Sequence, residues 1–343
     1  MKIDQEILNK IKITPLLDTL RLENISDQEY FSEYYSDRIS NSRLGILKSK
    51  GVKAFFANEK LEFTSSFKFG SDLHALVLEP ESYELIEGVN RPTAKAGNVA
   101  DWLYKGEETF PNDDDIKVAS IKCNYYKDKL TPNRLLEFRG KAEPYWKQRF
   151  LYELNNPKTD KVRIYTDEKS QTLLKTCLDS LNANQEIQNL LHPTGIAEDP
   201  ITGCEKTILL DIKIEIPDKG EAIYKFKSKL DNFSIDKESN TITVNDLKTT
   251  SKLAKDFGDV VDFYSYYREL AIYSWLLNFC SEKFYGLQKP TIKGNFLVIS
   301  TIPDYNTAVY PMTPALYKKG FKEFIYLMKV VAYFNIVENY KFS

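Results

Sequence analysis

The sequence predicts an α/β fold with a mixed central sheet flanked by helices, and three observations predict it. Residues 221–250 read as two strands joined by a polar turn. Helical periodicity runs through 134–155, 168–191 and 262–281. Two further strand-like runs, 293–301 and 307–311, come after the last of these helices and before a closing helix at about 313–338. In the hairpin, the first strand is rich in Tyr, Phe, Ile and Leu, and the second alternates Thr241-Ile242-Thr243-Val244. Between them, Asp236-Lys237-Glu238-Ser239-Asn240 is turn material.

The remaining elements follow in order. Residues 1–38 are expected to form an N-terminal helical arm, with a helix through Ile7, Ile11 and Leu16-Leu17 and then a Tyr-rich connection. Ser40, Asn41 and Ser42 are capping candidates ahead of Leu44, Ile46 and Leu47, for a helix starting near Ser42. A short helix starts after Gly70, ends before Pro80 and carries His74, one of two histidines in the chain. Residues of about 81–165 read as a variable insertion in the main domain, 39–343. Within it, Arg91 to Gly97 has the basic, small-residue character of a phosphate-facing loop, and Asn112-Asp113-Asp114-Asp115 reads as a solvated turn whose consecutive side chains do not converge. A strand ending at Ile216 turns through Pro217-Asp218-Lys219-Gly220 into the hairpin. In the 262–281 helix, Glu269 and Tyr273 stand four apart and share a face.

With 343 residues the chain is long enough for one large domain or two, and 42% hydrophobic with 28% charged residues is the composition of a soluble globular protein. The net charge of -2 neither advertises nor excludes a nucleic-acid partner, since basic residues need only line one groove. No run approaches the roughly 18 apolar residues of a membrane span. The opening Met-Lys-Ile-Asp-Gln-Glu has no signal-peptide pattern, so a cytoplasmic location is expected. Cys123, Cys177, Cys204 and Cys280 lack metal-site spacing, so neither zinc nor an iron–sulfur cluster is expected.

The hairpin carries the chemistry. Opposed residues in an antiparallel pair have a constant sum, so this turn sets Ile242 opposite Ile235, Val244 opposite Phe233 and Asp246 opposite Asp231. Their Cβ atoms would lie roughly 4.5–5.5 Å apart, and two carboxylates that close call for a cation. Lys248 follows on the same face, about 6–7 Å along the strand. Two carboxylates and a lysine on one strand face suit phosphodiester hydrolysis with Mg²⁺. Upstream of Asp231 the apolar residues are Tyr224, Phe226 and Leu230, so parity changes at Asp231 and predicts a bulge or kink.

Asp246-Leu247-Lys248-Thr249-Thr250 after Lys229-Leu230-Asp231 resembles the active-site core of the PD-(D/E)XK nucleases, in particular the RecE-like and lambda-exonuclease-like branch found in phages. Leu230 stands where the family name has Pro, a position that is not a ligand. Further motifs lie in family order. Ile39-Ser40-Asn41-Ser42 is similar to the start of RecE-like domains, and Gly70 to His74 followed by Ala75-Leu76-Val77-Leu78-Glu79-Pro80 resembles their first motif. Glu205-Lys206-Thr207-Ile208 is similar to a Glu-x-Ser-Ile segment, and Glu269 with Tyr273 stands where the family has Gln-x-x-x-Tyr. The resemblance covers most of 39–80 and 168–338.

It implies a Mg²⁺-dependent deoxyribonuclease, with Mn²⁺ as a substitute, of the phage exonuclease kind that acts on linear double-stranded DNA in recombination or replication. Asp231, Asp246 and Glu205 would bind metal, His74 would assist, and Lys248 would position water or stabilise the transition state. Glu269 and Tyr273 would be auxiliary. Candidate DNA contacts are Lys68, Lys227, Lys229, Thr249 and Lys252. Exonucleases of this branch tend to form rings, so a homo-oligomer and a single-strand annealing partner protein are compatible with the resemblance, though the sequence shows neither. The rival readings are a structure- or site-specific endonuclease on the same core and a non-catalytic DNA-binding or virion component.

Overall fold

The computed structural model describes residues 4–59, 65–126, 130–193 and 202–342. Its strands are β1 (Lys12–Glu23), β2 (Tyr83–Asn90), β3 (Val162–Thr166), β4 (Thr202–Ile216), β5 (Gly220–Asp236), β6 (Thr241–Thr250), β7 (Thr291–Ser300) and β8 (Thr307–Pro311). The chain divides into two compact units, one of Met1–Glu62 with Leu181–Ser343 and the other of Phe63–Ser180.

The first unit holds a six-stranded mixed sheet in the order β1-β4-β5-β6-β7-β8. Neighbours run antiparallel except β6 and β7, which are parallel. A parallel pair needs a long crossover, and the helices Phe257–Tyr264 and Tyr266–Tyr285 supply it. The β5–β6 register is the one the turn predicts, with Phe233 opposite Val244 and Ile235 opposite Ile242. Asp236 fixes that turn by accepting the backbone N–H groups of Glu238 and Ser239 at 3.0 and 3.1 Å.

Alternate residues of these strands feed one core. Phe226, Leu230, Phe233, Ile242 and Val244 are buried with Leu270, Tyr273 and Leu277 of the Tyr266–Tyr285 helix and with Phe324 and Met328 of the Pro314–Ala332 helix. Burying each such side chain stabilises the fold by about 1.5–3 kcal/mol. On β5, β6 and β7 three buried asparagines stand in register, Asn232 beside Asn245 and Asn245 beside Asn295. Asn295 Nδ2 donates to Asn245 Oδ1 at 3.0 Å, and Asn245 Nδ2 donates to Asn232 Oδ1 at 2.8 Å and to the Leu190 carbonyl at 3.0 Å. Asn232 Nδ2 in turn reaches the Leu191 carbonyl at 3.4 Å, so the ladder ends on the Gln185–Leu191 helix.

The N-terminal segment differs from its expectation. Of the helix expected through Ile7, Ile11 and Leu16-Leu17, only Gln5–Lys10 forms, and Leu16-Leu17 lies in β1, which pairs antiparallel with β4. Pro15 explains the difference, because it is disfavoured inside a helix yet tolerated on an edge strand. The run expected as one helix over 168–191 breaks at Asn184, whose side chain caps the Gln185–Leu191 helix by accepting the Ile187 N–H at 3.2 Å. The 262–281 expectation likewise splits, at Ser265, whose φ of 58° and ψ of 36° are left-handed.

The second unit packs the parallel pair β2–β3 with the helices Ala94–Leu103, Asp113–Lys122 and Pro132–Asn155 around Val99, Ile116, Phe138, Tyr145 and Trp146. The acidic run expected as a turn is the first turn of the Asp113–Lys122 helix, capped by Asn112. Carboxylates at that end are favoured by the helix dipole. Among the described residues, no helix is long and apolar enough to cross a membrane.

Candidate active site

Asp246 lies on an interior strand and is fully buried. Its Oδ1 accepts from the Lys248 ammonium at 2.8 Å, and Lys248 Nζ also lies 3.3 Å from Glu269 Oε2. Glu269 is in the first turn of the Tyr266–Tyr285 helix, where its Oε1 accepts from the Tyr273 hydroxyl one turn on, at 3.1 Å. The β5–β6 pairing runs to Asn232 opposite Asn245 and stops one residue short of the aspartates. There Asp231 uses its own carboxylate in place of the ladder, with Oδ2 accepting the Leu247 N–H at 2.8 Å.

Glu205 falls between the paired positions Cys204–Asn232 and Lys206–Leu230, opposite Asp231. Its φ of 53° is left-handed, a conformation that costs a non-glycine residue about 1 kcal/mol or more and interrupts the ladder there. A Glu205 carboxylate oxygen lies within 4.8 Å of one from Asp231. Lys229 Nζ is shared between Glu205, at 2.7 Å, and Asp27, at 2.6 Å.

The electrostatics follow from this crowding. Burial, joined by the charges of Glu269 and Asp231, holds the Asp246 carboxyl well above the usual carboxylate range against the pull of Lys248. Burial and then Asp231 push Glu205 up to about 8, because Lys229 is divided between two carboxylates and fully offsets neither. Burial opposes the charge of Lys248, yet Asp246, Glu269 and Asp231 outweigh it and keep the ammonium protonated well beyond its usual range. Glu269 is also desolvated, but Lys248 and the Tyr273 hydroxyl hold it below the usual range.

No family model matches this chain, and no curated protein matches it. Among solved structures it is similar to a chain named "Putative exonuclease" from Eubacterium rectale. The two are 10% identical over 92% of this chain and 88% of that one, with a TM-score of 0.45.

The oxygen donors of the first unit suit a hard divalent cation. Asp246 Oδ2 is buried and makes no hydrogen bond, an acceptor with a lone pair to give. The Asp231 charge disfavours ionisation of both Glu205 and Asp246, a repulsion that a cation would relieve. His74 is half-buried on the Ser65–Leu78 helix of the other unit.

The expected DNA contacts fare differently. Lys227 is buried and donates to the Tyr30 carbonyl at 2.6 Å beneath the Tyr30 ring, so it does not present a charge to solvent. Lys229 is mostly buried in its two ion pairs, and Lys68 is paired with Asp72 at 2.8 Å on its own helix. Arg91 is buried too, bonded to Asp101 at 2.7 Å and Asn98 at 2.7 Å, and does not form a phosphate-facing loop. Thr249 is half-buried in β6, and Lys252 is exposed just beyond it.

The site also includes residues that sequence reasoning passed over. The Tyr266 ring centroid lies 5.0 Å from Lys248 Nζ, and burial raises its hydroxyl to about 12. Tyr30 is buried where Glu269, Asp27 and Glu205 raise its hydroxyl further after burial itself. The cluster of aromatics from Phe263 to Tyr267 was a usable signal for the first; nothing in the local pattern marked the second.

Proposed function

We propose that this protein is a Mg²⁺-dependent nuclease of the PD-(D/E)XK kind, acting on DNA ends as a phage-type exonuclease in recombination or replication. One observation carries the proposal: a buried Asp246 with one oxygen on Lys248 and the other unpartnered, beside Asp231. Support comes from the order of the sequence motifs along the chain and from the neighbouring strands β4, β5 and β6 of a mixed sheet, which carry Glu205, Asp231, Asp246 and Lys248.

Asp231, Asp246 and Glu205 would hold the ion; the part of His74 rests on its sequence motif alone. A bound Mg²⁺ would activate water and polarise the phosphate. The charges of Asp246, Glu269 and Asp231 hold Lys248 protonated beyond its usual range, and an ammonium fixed in the site stabilises the negative charge that develops on a phosphoryl oxygen. Glu269 fixes the direction of that ammonium, and Tyr273 fixes Glu269. Phosphate contacts from exposed cations such as Lys252 would supply sequence-independent affinity.

The test uses linear and covalently closed circular DNA. The wild type is expected to release nucleotides from linear DNA in Mg²⁺, to stop in EDTA, and to spare closed circles. Lys248→Met is expected to lose about 10²-fold or more in rate while binding DNA in EDTA like the wild type. Cutting of closed circles would make the enzyme an endonuclease on the same core. Binding without cutting in Mg²⁺ or Mn²⁺ would make it a non-catalytic component.

A further inference from the structure

A row of aromatic rings runs from Lys248 to the surface. The ammonium lies 5.0 Å from the Tyr266 centroid, Tyr266 stacks on Tyr264 at 5.4 Å with 22° between the planes, and Tyr264 meets Phe263 edge-on at 4.8 Å. Phe257 backs Tyr266 from the core side, stacked at 5.9 Å and 17°. The outer two rings are open to solvent, Phe263 at 80% and Tyr264 at 59% exposure.

This arrangement is not what a continuous helix gives. Residues two apart on a helix point to nearly opposite sides, so Tyr264 and Tyr266 would diverge if the 257–285 segment were unbroken. The left-handed Ser265 between them turns the chain and brings the rings face to face. That turn is held in place, since Ser265 is buried and its hydroxyl accepts from Lys48 Nζ at 2.7 Å. Non-glycine residues in this conformation persist where the surroundings impose it, and such strain gathers at ligand clamps.

The geometry points to the Phe263–Tyr264 pair as a stacking platform for an unpaired nucleobase, so that the strand entering the Lys248 site is a single-stranded or frayed DNA end. The inference rests on the nuclease reading of that site. Bases stack on aromatic faces whatever their identity, which suits an enzyme that must take every base in turn. The charge of this segment is mixed: Asp262 is paired with Lys319 at 2.7 Å, Asp256 and Asp259 are exposed, and Lys252 and Lys255 are exposed on the stretch leading from β6. A base inside an intact duplex keeps its own stacking partners and cannot offer a free face.

The test is binding of short oligonucleotides in EDTA to the full chain, with 2-aminopurine placed at each end in turn. The wild type is expected to quench the probe at one end. Phe263→Ala with Tyr264→Ala is expected to lose that quenching and about tenfold or more in affinity. Replacing the terminal base by an abasic site should cost the wild type the same factor and the double variant almost nothing, and Phe263→Trp with Tyr264→Trp should restore wild-type behaviour. Equal affinity for intact and abasic ends, or equal affinity of wild type and the alanine variant, overturns the platform. Quenching by a wild type that cuts no DNA would leave the platform standing and the nuclease reading lost; cutting without quenching would do the reverse.

Discussion

Asp246→Asn isolates the charge on which the site turns. Asparagine keeps the shape of the side chain and its contact with Lys248, and it removes one of three negative charges, those of Asp231, Asp246 and Glu269, that act on a single ammonium. Burial, then Glu269 and Asp231, hold the wild-type carboxyl well above its ordinary value of 3.8. An acid that binds its proton more tightly in the folded chain contributes stability that is complete below its unfolded pKa and is lost as pH rises through its folded pKa. The metal-free wild type should therefore weaken as pH rises above about 4, and the variant, whose amide has no proton to lose there, should escape that loss. Asparagine also gives up the ion pair with Lys248, so the quantity to read is the change with pH: in EDTA the wild type should lose stability relative to Asp246→Asn between pH 5 and pH 8. Mg²⁺ at a hundred times its dissociation constant should add about 2.7 kcal/mol to the wild type and little to the variant. Urea unfolding at pH 5 and pH 8, with EDTA or Mg²⁺, reads both effects, and hydrolysis should fall by about 10²-fold or more while DNA binding in EDTA persists. A wild type that loses no stability relative to the variant between pH 5 and pH 8 in EDTA, or a variant that keeps the full Mg²⁺ gain, would refute the assignment.

Two further substitutions test neighbouring claims. Burial, then Arg38 and Arg43, pull the Lys227 ammonium down to about 8 from 10.5. A base depressed in this way costs stability below its folded pKa, and the cost fades as pH rises from about 8 toward 10.5. Lys227→Met should then be more stable by about 2–3 kcal/mol at pH 7, lose that advantage near pH 10.5, and leave DNA affinity unchanged; a fall in DNA affinity would return Lys227 to the interface. Glu269→Gln keeps the acceptor for the Tyr273 hydroxyl and lightens the negative charge on Asp246. It should fold normally and keep or raise nuclease activity, and loss of all activity would show that the Glu269 charge on Lys248 is essential.

What the sequence made legible was local. The turn at Asp236 to Asn240 and the alternation after it were enough to place Phe233 against Val244, and hence to bring Asp231 near Asp246. The parity change at Asp231 likewise anticipated the end of regular pairing there. Long-range partners were not legible. Leu16, Leu17, Leu20 and Leu22 suit a helix or a strand, and pairing with β4 decides between them, with Pro15 as the one local hint. Lys227 looks like any strand lysine until Tyr30, nearly two hundred residues earlier, is seen to cover it. Ser265 carries no turn signature in its sequence, so the break that stacks Tyr264 on Tyr266 emerges only in three dimensions.

The asparagine ladder bears on how the site tolerates change. Sliding β6 by one residue against its neighbours would exchange its two faces, and sliding it by two would preserve the polar–apolar alternation. Hydrophobic patterning therefore resists the first error and is indifferent to the second. The three amides are not indifferent, since a two-residue displacement separates them, and in the direction that sets Asn245 beside Leu230 and Leu297 it leaves its donors unmet, at about 1–3 kcal/mol for each group. Asn245 is adjacent to Asp246, so the ladder works as a registration key set immediately beside the buried Asp246 carboxylate. Lengthening or shortening the Asp236–Asn240 turn by two residues should accordingly strain the turn and leave the strands aligned.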